Sequence, residues 1–186
     1  MDDQAIKKKI LAAFHKQFED SYQTILVDEG HEPVYLPSDD SGKPHRIVFA
    51  HGFWNSALHE IAHWCIAGPQ RRTQEDYGYW YQPDGRSREK QSEFESVEVR
   101  PQALEWHFTC AIKKDFFLSV DNLDGAGGAD LEAFKKAVQK EALSLVRQGL
   151  PKRARMFWLA LQEEFRSHNH VQSYWTTAER DNTLPF

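Results

Sequence analysis

Two histidines one helical turn apart are the feature of this sequence that most clearly predicts chemistry. His59 and His63 enclose Glu60 in the pattern His-Glu-x-x-His. Residues four apart lie on one face of an α-helix, so both imidazoles can bind a single divalent metal ion. Glu60 projects beside them, within reach of a water molecule bound to that ion. The sequence therefore predicts a metal-binding helix on which Glu60 is the catalytic residue.

Two histidines do not complete a catalytic metal site, which commonly uses three protein ligands. Acidic residues that could supply the third lie at Glu93, Glu95 and Glu98. Phe94 and Val97 mark the buried side of this segment, and Glu98 is adjacent to that side, so it is the first candidate. Glu95, one turn earlier, is the second. Other imidazoles that could serve instead belong to His51, His107, His168 and His170.

Two imidazoles and one carboxylate support different chemistries. With zinc they form a hydrolase in which Glu60 is the general base that activates bound water. With iron(II) the same ligands activate oxygen. The motif alone favours a zinc metallopeptidase. A purely structural zinc site would need a fourth ligand, and Cys65 is unsuitable because it lies roughly 200° around the helix from His63.

Composition restricts the class of protein. The chain has 186 residues, a formal net charge of -5 and 40% hydrophobic residues, which is typical of one globular domain, 1–186. The absence of a strongly basic field argues against nucleic acid as a partner. The sequence starts with acidic residues and has no secretory pattern, and its two cysteines lie in apolar surroundings. It also has no apolar run long enough to span a membrane. These features predict a cytoplasmic protein without a membrane partner.

The order of predicted elements is typical of an α+β domain, with a small mixed sheet packed on a zincin-like metal-binding helix and further C-terminal helices. Strand-like runs lie at 24–27, 33–36, 46–50 and 77–81. Helical patterns lie at 3–19, at the metal motif up to Gly68-Pro69, and at 88–99, 101–113, 130–148 and 152–167. Pro101 is expected to start a separate helix. The polar tail 168–186 is expected to be loosely held.

Longer blocks around the motif resemble the bacterial elongation factor P hydroxylases. These blocks are 32–37, 46–53, 59–68, 78–86, 94–104 and 121–123. The resemblance implies an oxygen-dependent, non-haem metal hydroxylase that acts on a lysine of elongation factor P after that lysine has been β-lysylated. It implies His59 and His63 as metal ligands and favours Glu98 over Glu95 as the carboxylate. The implied cofactors are iron(II), with zinc or another divalent metal possible, and molecular oxygen.

An aromatic segment follows the metal helix and could contact the substrate. Tyr79 and Tyr81, with Asp84 and Arg86 in the turn that follows, would form an aromatic wall beside an acidic group, which suits a long cationic lysine side chain. Glu95 is a further candidate for contact with the substrate. The alternative is a strand with one face in the core, with Tyr79 and Tyr81 on one face and Trp80 on the other, followed by an ordinary Asp-Gly turn.

Overall fold

A three-stranded mixed sheet packs against the helix that carries the His-Glu-x-x-His motif. The computed structural model describes residues 1–30, 32–39, 42–77, 88–119 and 131–181. Strands β1 (Thr24–Gly30), β2 (Val34–Leu36) and β3 (His45–Ala50) are ordered β1-β3-β2, with β3 parallel to β1 and antiparallel to β2. The last four residues of β3 are buried. The central strand therefore ends inside the core, directly before the motif helix.

Six helices in the described ranges pack with this sheet around one hydrophobic core, in the α+β arrangement predicted from the sequence. They are α1 (Asp3–Tyr22), α2 (Trp54–Ile66), α3 (Arg88–Ala111), α4 (Leu131–Gln148), α5 (Lys152–Phe165) and α6 (His168–Asp181). No helix in these ranges combines the length and the hydrophobicity that crossing a bilayer requires.

A tight turn leads from β3 into α2. His51 and Gly52 both have a positive φ, of 56° and 67°. A Cβ on Gly52 would lie 3.1 Å from an oxygen of Asp28 and 3.2 Å from the Lys7 amino group, which form an ion pair with each other. Glycine relieves both the crowding and the strain of the left-handed conformation. The turn therefore determines where the motif helix begins.

Helix α3 is the centre of the core. Every residue from 101 to 112 is buried, and α3 contacts α2, α4, α5 and α6. The prediction of two segments, 88–99 and 101–113, is wrong because α3 continues through Pro101. An internal proline costs about 3 kcal/mol relative to alanine. Burial of Leu104, Trp106 and Phe108 immediately after the proline offsets that cost, since each large side chain contributes about 1.5–3 kcal/mol.

The predicted loose tail is instead a packed helix for most of its length. Helix α6 buries Val171, Trp175 and Ala178, which recur at helical spacing among polar residues. The Trp175 ring stacks on His107 of α3 with 3.9 Å between the ring centroids. The tail is polar on average, so this narrow stripe of apolar residues was not recognised in the sequence. Residues 182–186 lie outside the described part of the chain.

The predicted aromatic strand 77–81 falls mostly outside the described residues, which resume at 88. Just before it, Asp76 pairs with Tyr35 of β2 through two backbone hydrogen bonds. The chain after α2 therefore returns to the edge of the sheet, and Tyr77 is half exposed.

The acid sensitivity of the fold should depend on His107. Burial lowers the pKa of this residue to about 4, although its Nε2 donates a hydrogen bond to the Ala142 carbonyl. The unfolded chain, with an ordinary histidine pKa near 6.5, therefore binds a proton more readily, and stability is lost as the pH falls from about 6.5 towards 4. Between pH 7.5 and 4.5 we expect the parent to lose about 2 kcal/mol more unfolding free energy than His107→Gln. Urea denaturation at both pH values measures this difference, and equal losses would contradict it.

Candidate metal centre

Three side chains from α2 and α3 converge on one point. The Nε2 atoms of His59 and His63 are 3.0 Å apart. His63 Nε2 lies 3.2 Å from Glu98 Oε1, and His59 Nε2 lies 3.5 Å from Glu98 Oε2. Among the described residues these three form a group whose ligand atoms all lie within 4.8 Å of one another. The structure thus brings together the two motif histidines and the carboxylate that the sequence ranked first.

The packing of α2 against α3 explains this convergence. Leu58, Ile61 and Ala62 of α2 are fully buried in the core. His59 and His63 are partly buried and lie against Glu98 of α3, which is in contact with α2. A helix that buries one stripe necessarily orients the residues beside that stripe towards its neighbour.

The environment of the Glu98 side chain is the observation that best fits a bound metal ion. Its side chain is only 3% exposed, and Oε2 has no hydrogen-bond partner in the described part of the chain. Burial raises the pKa of this carboxyl, but the neighbouring His63 and His59 lower it by more, so that the pKa is about 2. The group is therefore an ionised carboxylate in a protein interior, where an unpaired charge is costly. A divalent cation bound between Glu98 and the two imidazoles would satisfy the free oxygen.

Glu105 orients the first histidine. Its Oε2 lies 2.9 Å from His59 Nδ1, so Nδ1 donates to the carboxylate and Nε2 faces the centre of the site. A carboxylate on the far nitrogen of a metal-binding histidine is a common supporting contact. Sequence reasoning missed Glu105, although it follows Glu98 by seven residues, which places both on one face of α3.

The proton on His59 is held strongly in the metal-free site. Burial by itself lowers the pKa of His59, but the hydrogen bond to Glu105 and the charges of Glu105, Glu98 and Glu60 raise it to about 10. A metal ion must therefore displace a proton from His59 in order to bind.

Gln102 connects the site to the segment that follows α3. Its amide donates to the Ser119 carbonyl at 2.7 Å and accepts from the Ser119 backbone N–H at 3.1 Å. A hydrogen bond from Gln102 also contributes to the low pKa of Glu98. This buried amide, also missed in the sequence, holds the carboxylate and the chain at Ser119 together.

Glu60, the predicted catalytic residue, is not part of the group formed by His59, His63 and Glu98. It borders a narrow cleft together with His63, Tyr35 and the ion pair between Arg71 and Asp76. Burial raises the pKa of the Glu60 carboxyl, although His59 and His63 oppose this effect. The cleft therefore brings the Glu60 carboxyl and His63, one of the two clustered histidines, to the same space.

Of the other predicted site residues, those that the structure describes do not join this cluster. Glu95 is partly buried, and its Oε1 accepts a hydrogen bond from Gln91 at 3.0 Å. Tyr79, Tyr81, Asp84 and Arg86 lie outside the described residues, so their role as a substrate wall stays a prediction. The alternative histidines at 51, 107, 168 and 170 are also absent from the cluster.

Comparisons with known proteins converge on one family. A family model described as elongation factor P hydroxylase matches residues 13–175, which include α2 and α3. The elongation factor P lysine hydroxylase of Haemophilus influenzae is 52% identical over 162 residues, which is 87% of this chain and 90% of that protein. The matched region therefore contains all three clustered side chains and Glu105.

The geometry predicts which carboxylate binds metal. Glu98→Gln should weaken binding of Zn²⁺ by more than about 100-fold, because loss of supporting residues around a metal already costs about 10–100-fold. Glu95→Gln, a matched control three residues away, should bind Zn²⁺ like the parent. Calorimetric titration measures both affinities. A loss in Glu95→Gln equal to that in Glu98→Gln would show that the third ligand has been misassigned.

Metal binding should release a proton. Since the pKa of His59 in the metal-free site is about 10, the Zn²⁺ affinity should rise about ten-fold per pH unit between pH 6 and 8. Calorimetry in buffers of different ionisation enthalpy at pH 7.5 should show about one proton released per ion. Glu105→Gln removes the strongest partner of the His59 proton and should flatten the pH dependence. Binding without proton release would contradict this account.

Proposed function

The chain belongs to the elongation factor P hydroxylase family, and we propose that it hydroxylates a lysine side chain of elongation factor P at a metal centre held by His59, His63 and Glu98. The observation that carries the metal centre is the buried, ionised Glu98 carboxylate, whose Oε2 accepts no hydrogen bond from any described residue and lies beside two converging imidazoles. Membership of the family supports the reaction and the substrate, and the geometry supports the ligands.

Iron(II) is the metal that best suits this ligand set, although zinc or another divalent ion could occupy it. When bound, iron(II) supplies the activation of molecular oxygen that hydroxylation of an unactivated carbon requires. One oxygen atom enters the lysine side chain and the other leaves as water. That balance requires two electrons, so a separate reductant must take part.

The protein's own residues hold the ligands and manage protons. Glu105 holds His59 by Nδ1 and leaves Nε2 for the metal. Glu98 remains ionised at neutral pH and contributes one negative charge. Glu60 borders the cleft beside His63, and its raised pKa suits it to hold and donate a proton during the reaction.

The proposed substrate is a lysine that already carries a β-lysyl group, and the proposed place of action is the cytoplasm, where a translation factor works. Tyr79, Tyr81 and Asp84, with Arg86 and Glu95, remain the proposed contacts for this long cationic chain. The comparisons offer no support for the zinc metallopeptidase that the His-Glu-x-x-His pattern alone favours.

Co-expression with elongation factor P tests the proposal. Intact-mass spectrometry of β-lysylated elongation factor P should show a gain of one oxygen atom with the parent chain and none with His59→Ala. Glu60→Gln should hydroxylate more slowly while it still binds metal, because it removes the proton donor and retains the ligands.

The control variant is His170→Ala, which removes an exposed imidazole on α6 and should hydroxylate like the parent. An unchanged mass of substrate that is confirmed to be β-lysylated would overturn the proposed reaction. Full activity of His59→Ala would overturn the metal centre.

A further inference from the structure

The C-terminal end of the motif helix is bound by an arginine from a distant part of the chain. Arg153 lies in the first turn of α5 and is half-buried. Its Nη2 donates to the backbone carbonyls of Trp64, Cys65 and Ala67 at 2.8, 3.1 and 2.5 Å. One guanidinium nitrogen thus contacts three carbonyls at the end of α2.

These carbonyls need a donor from outside the helix. The last four carbonyls of an α-helix have no partner within it. In a longer helix the Cys65 carbonyl would accept from the N–H of residue 69, but residue 69 is a proline and has none. A cation at this end also complements the negative end of the helix dipole. The only basic residue in the last turn of α2 is His63, which contributes no positive charge when it binds a metal.

Aromatic rings hold the guanidinium in place. Its carbon lies 4.9 Å from the centroid of the Trp64 ring and 5.9 Å from that of Tyr22. Trp64 is 3% exposed and packs edge-on against Phe18 of α1. A cation confined over buried rings has little freedom to move. Arg153 therefore joins α1, α2 and α5 at one point.

That point is adjacent to His63. Trp64, whose carbonyl Arg153 contacts, directly follows His63 in the chain, and the Ala67 N–H donates to the His63 carbonyl at 3.0 Å. A shift of this turn would displace the imidazole, whereas metal ligands must keep their positions to within about 0.5 Å. His59 has Glu105 on its far nitrogen, but His63 has no such side-chain partner among the contacts described above.

We propose that Arg153 is a positioning residue that fixes the last turn of α2 and, through it, the place of His63 in the metal centre. This inference rests on the metal centre of the proposed function. In this proposal Arg153 supports His63 through the backbone of α2, whereas Glu105 supports His59 by a direct hydrogen bond.

Binding of Co²⁺ to the full-length chain tests the inference, because the visible spectrum of Co²⁺ reports the ligand geometry independently of hydroxylation. Arg153→Met should bind Co²⁺ at least about ten-fold more weakly than the parent, with altered absorption bands. Arg153→Lys keeps the charge but not the planar group over Trp64, and should be about three-fold weaker. The matched control is Arg155→Met, which removes an exposed arginine from the same helix and should leave affinity and spectrum unchanged.

Parent-like affinity and spectrum in both Arg153 variants would overturn the inference, even if their melting temperatures fall. If Arg153→Met does not fold, Arg153→Lys decides by the same two readouts. A parent chain that binds no Co²⁺ would overturn the metal centre itself and this inference with it. Normal binding by the parent with unchanged variants would overturn the positioning role alone.

Discussion

A buried negative charge is the constraint on which this structure depends. Glu98 lies on the central helix of the core, and an ionised carboxylate there is tolerated only beside positive charge or metal. The two imidazoles of α2 provide that environment, so α2 and α3 cannot shift relative to each other without exposing an uncompensated charge. Removing one partner of such a buried set typically costs about 3–5 kcal/mol.

The fold holds the motif helix at both ends. At the start, the left-handed turn at His51 and Gly52 joins α2 to the central strand, where the Lys7–Asp28 pair would crowd a Cβ at position 52. At the other end, Arg153 binds the free carbonyls. Between these two ends of α2, Glu105 orients the His59 imidazole by a hydrogen bond to its Nδ1. A site held in this way is preorganised, so little ordering remains to be done when an ion binds.

Local periodicity determined how much of this could be predicted from the sequence. The histidine pair was recognisable because residues four apart share a helix face, and Glu98 because it lies next to apolar neighbours. Contacts between distant segments carry no such signal: Arg153 is 89 residues from Trp64, and Glu105 is 46 residues from His59. The prediction of a helix boundary at Pro101 was wrong because burial of the residues that follow the proline outweighed its local helix-breaking preference. The aromatic wall at Tyr79 and Tyr81 stays a prediction, since those residues lie outside the described ranges.

The ligand set alone does not decide between hydrolysis and oxygen chemistry, so the surroundings of Glu60 matter. A metallopeptidase requires an ionised glutamate as general base at neutral pH. Here burial raises the pKa of Glu60, and the nearby carboxylates of Glu98 and Glu105 raise it further, against the opposing effect of the histidines. Glu98 is held ionised, because the adjacent His63 and His59 lower its pKa to about 2. The raised pKa of Glu60 is consistent with the proton-donating role proposed for it, and membership of the hydroxylase family, rather than the ligand set, favours oxygen chemistry over hydrolysis.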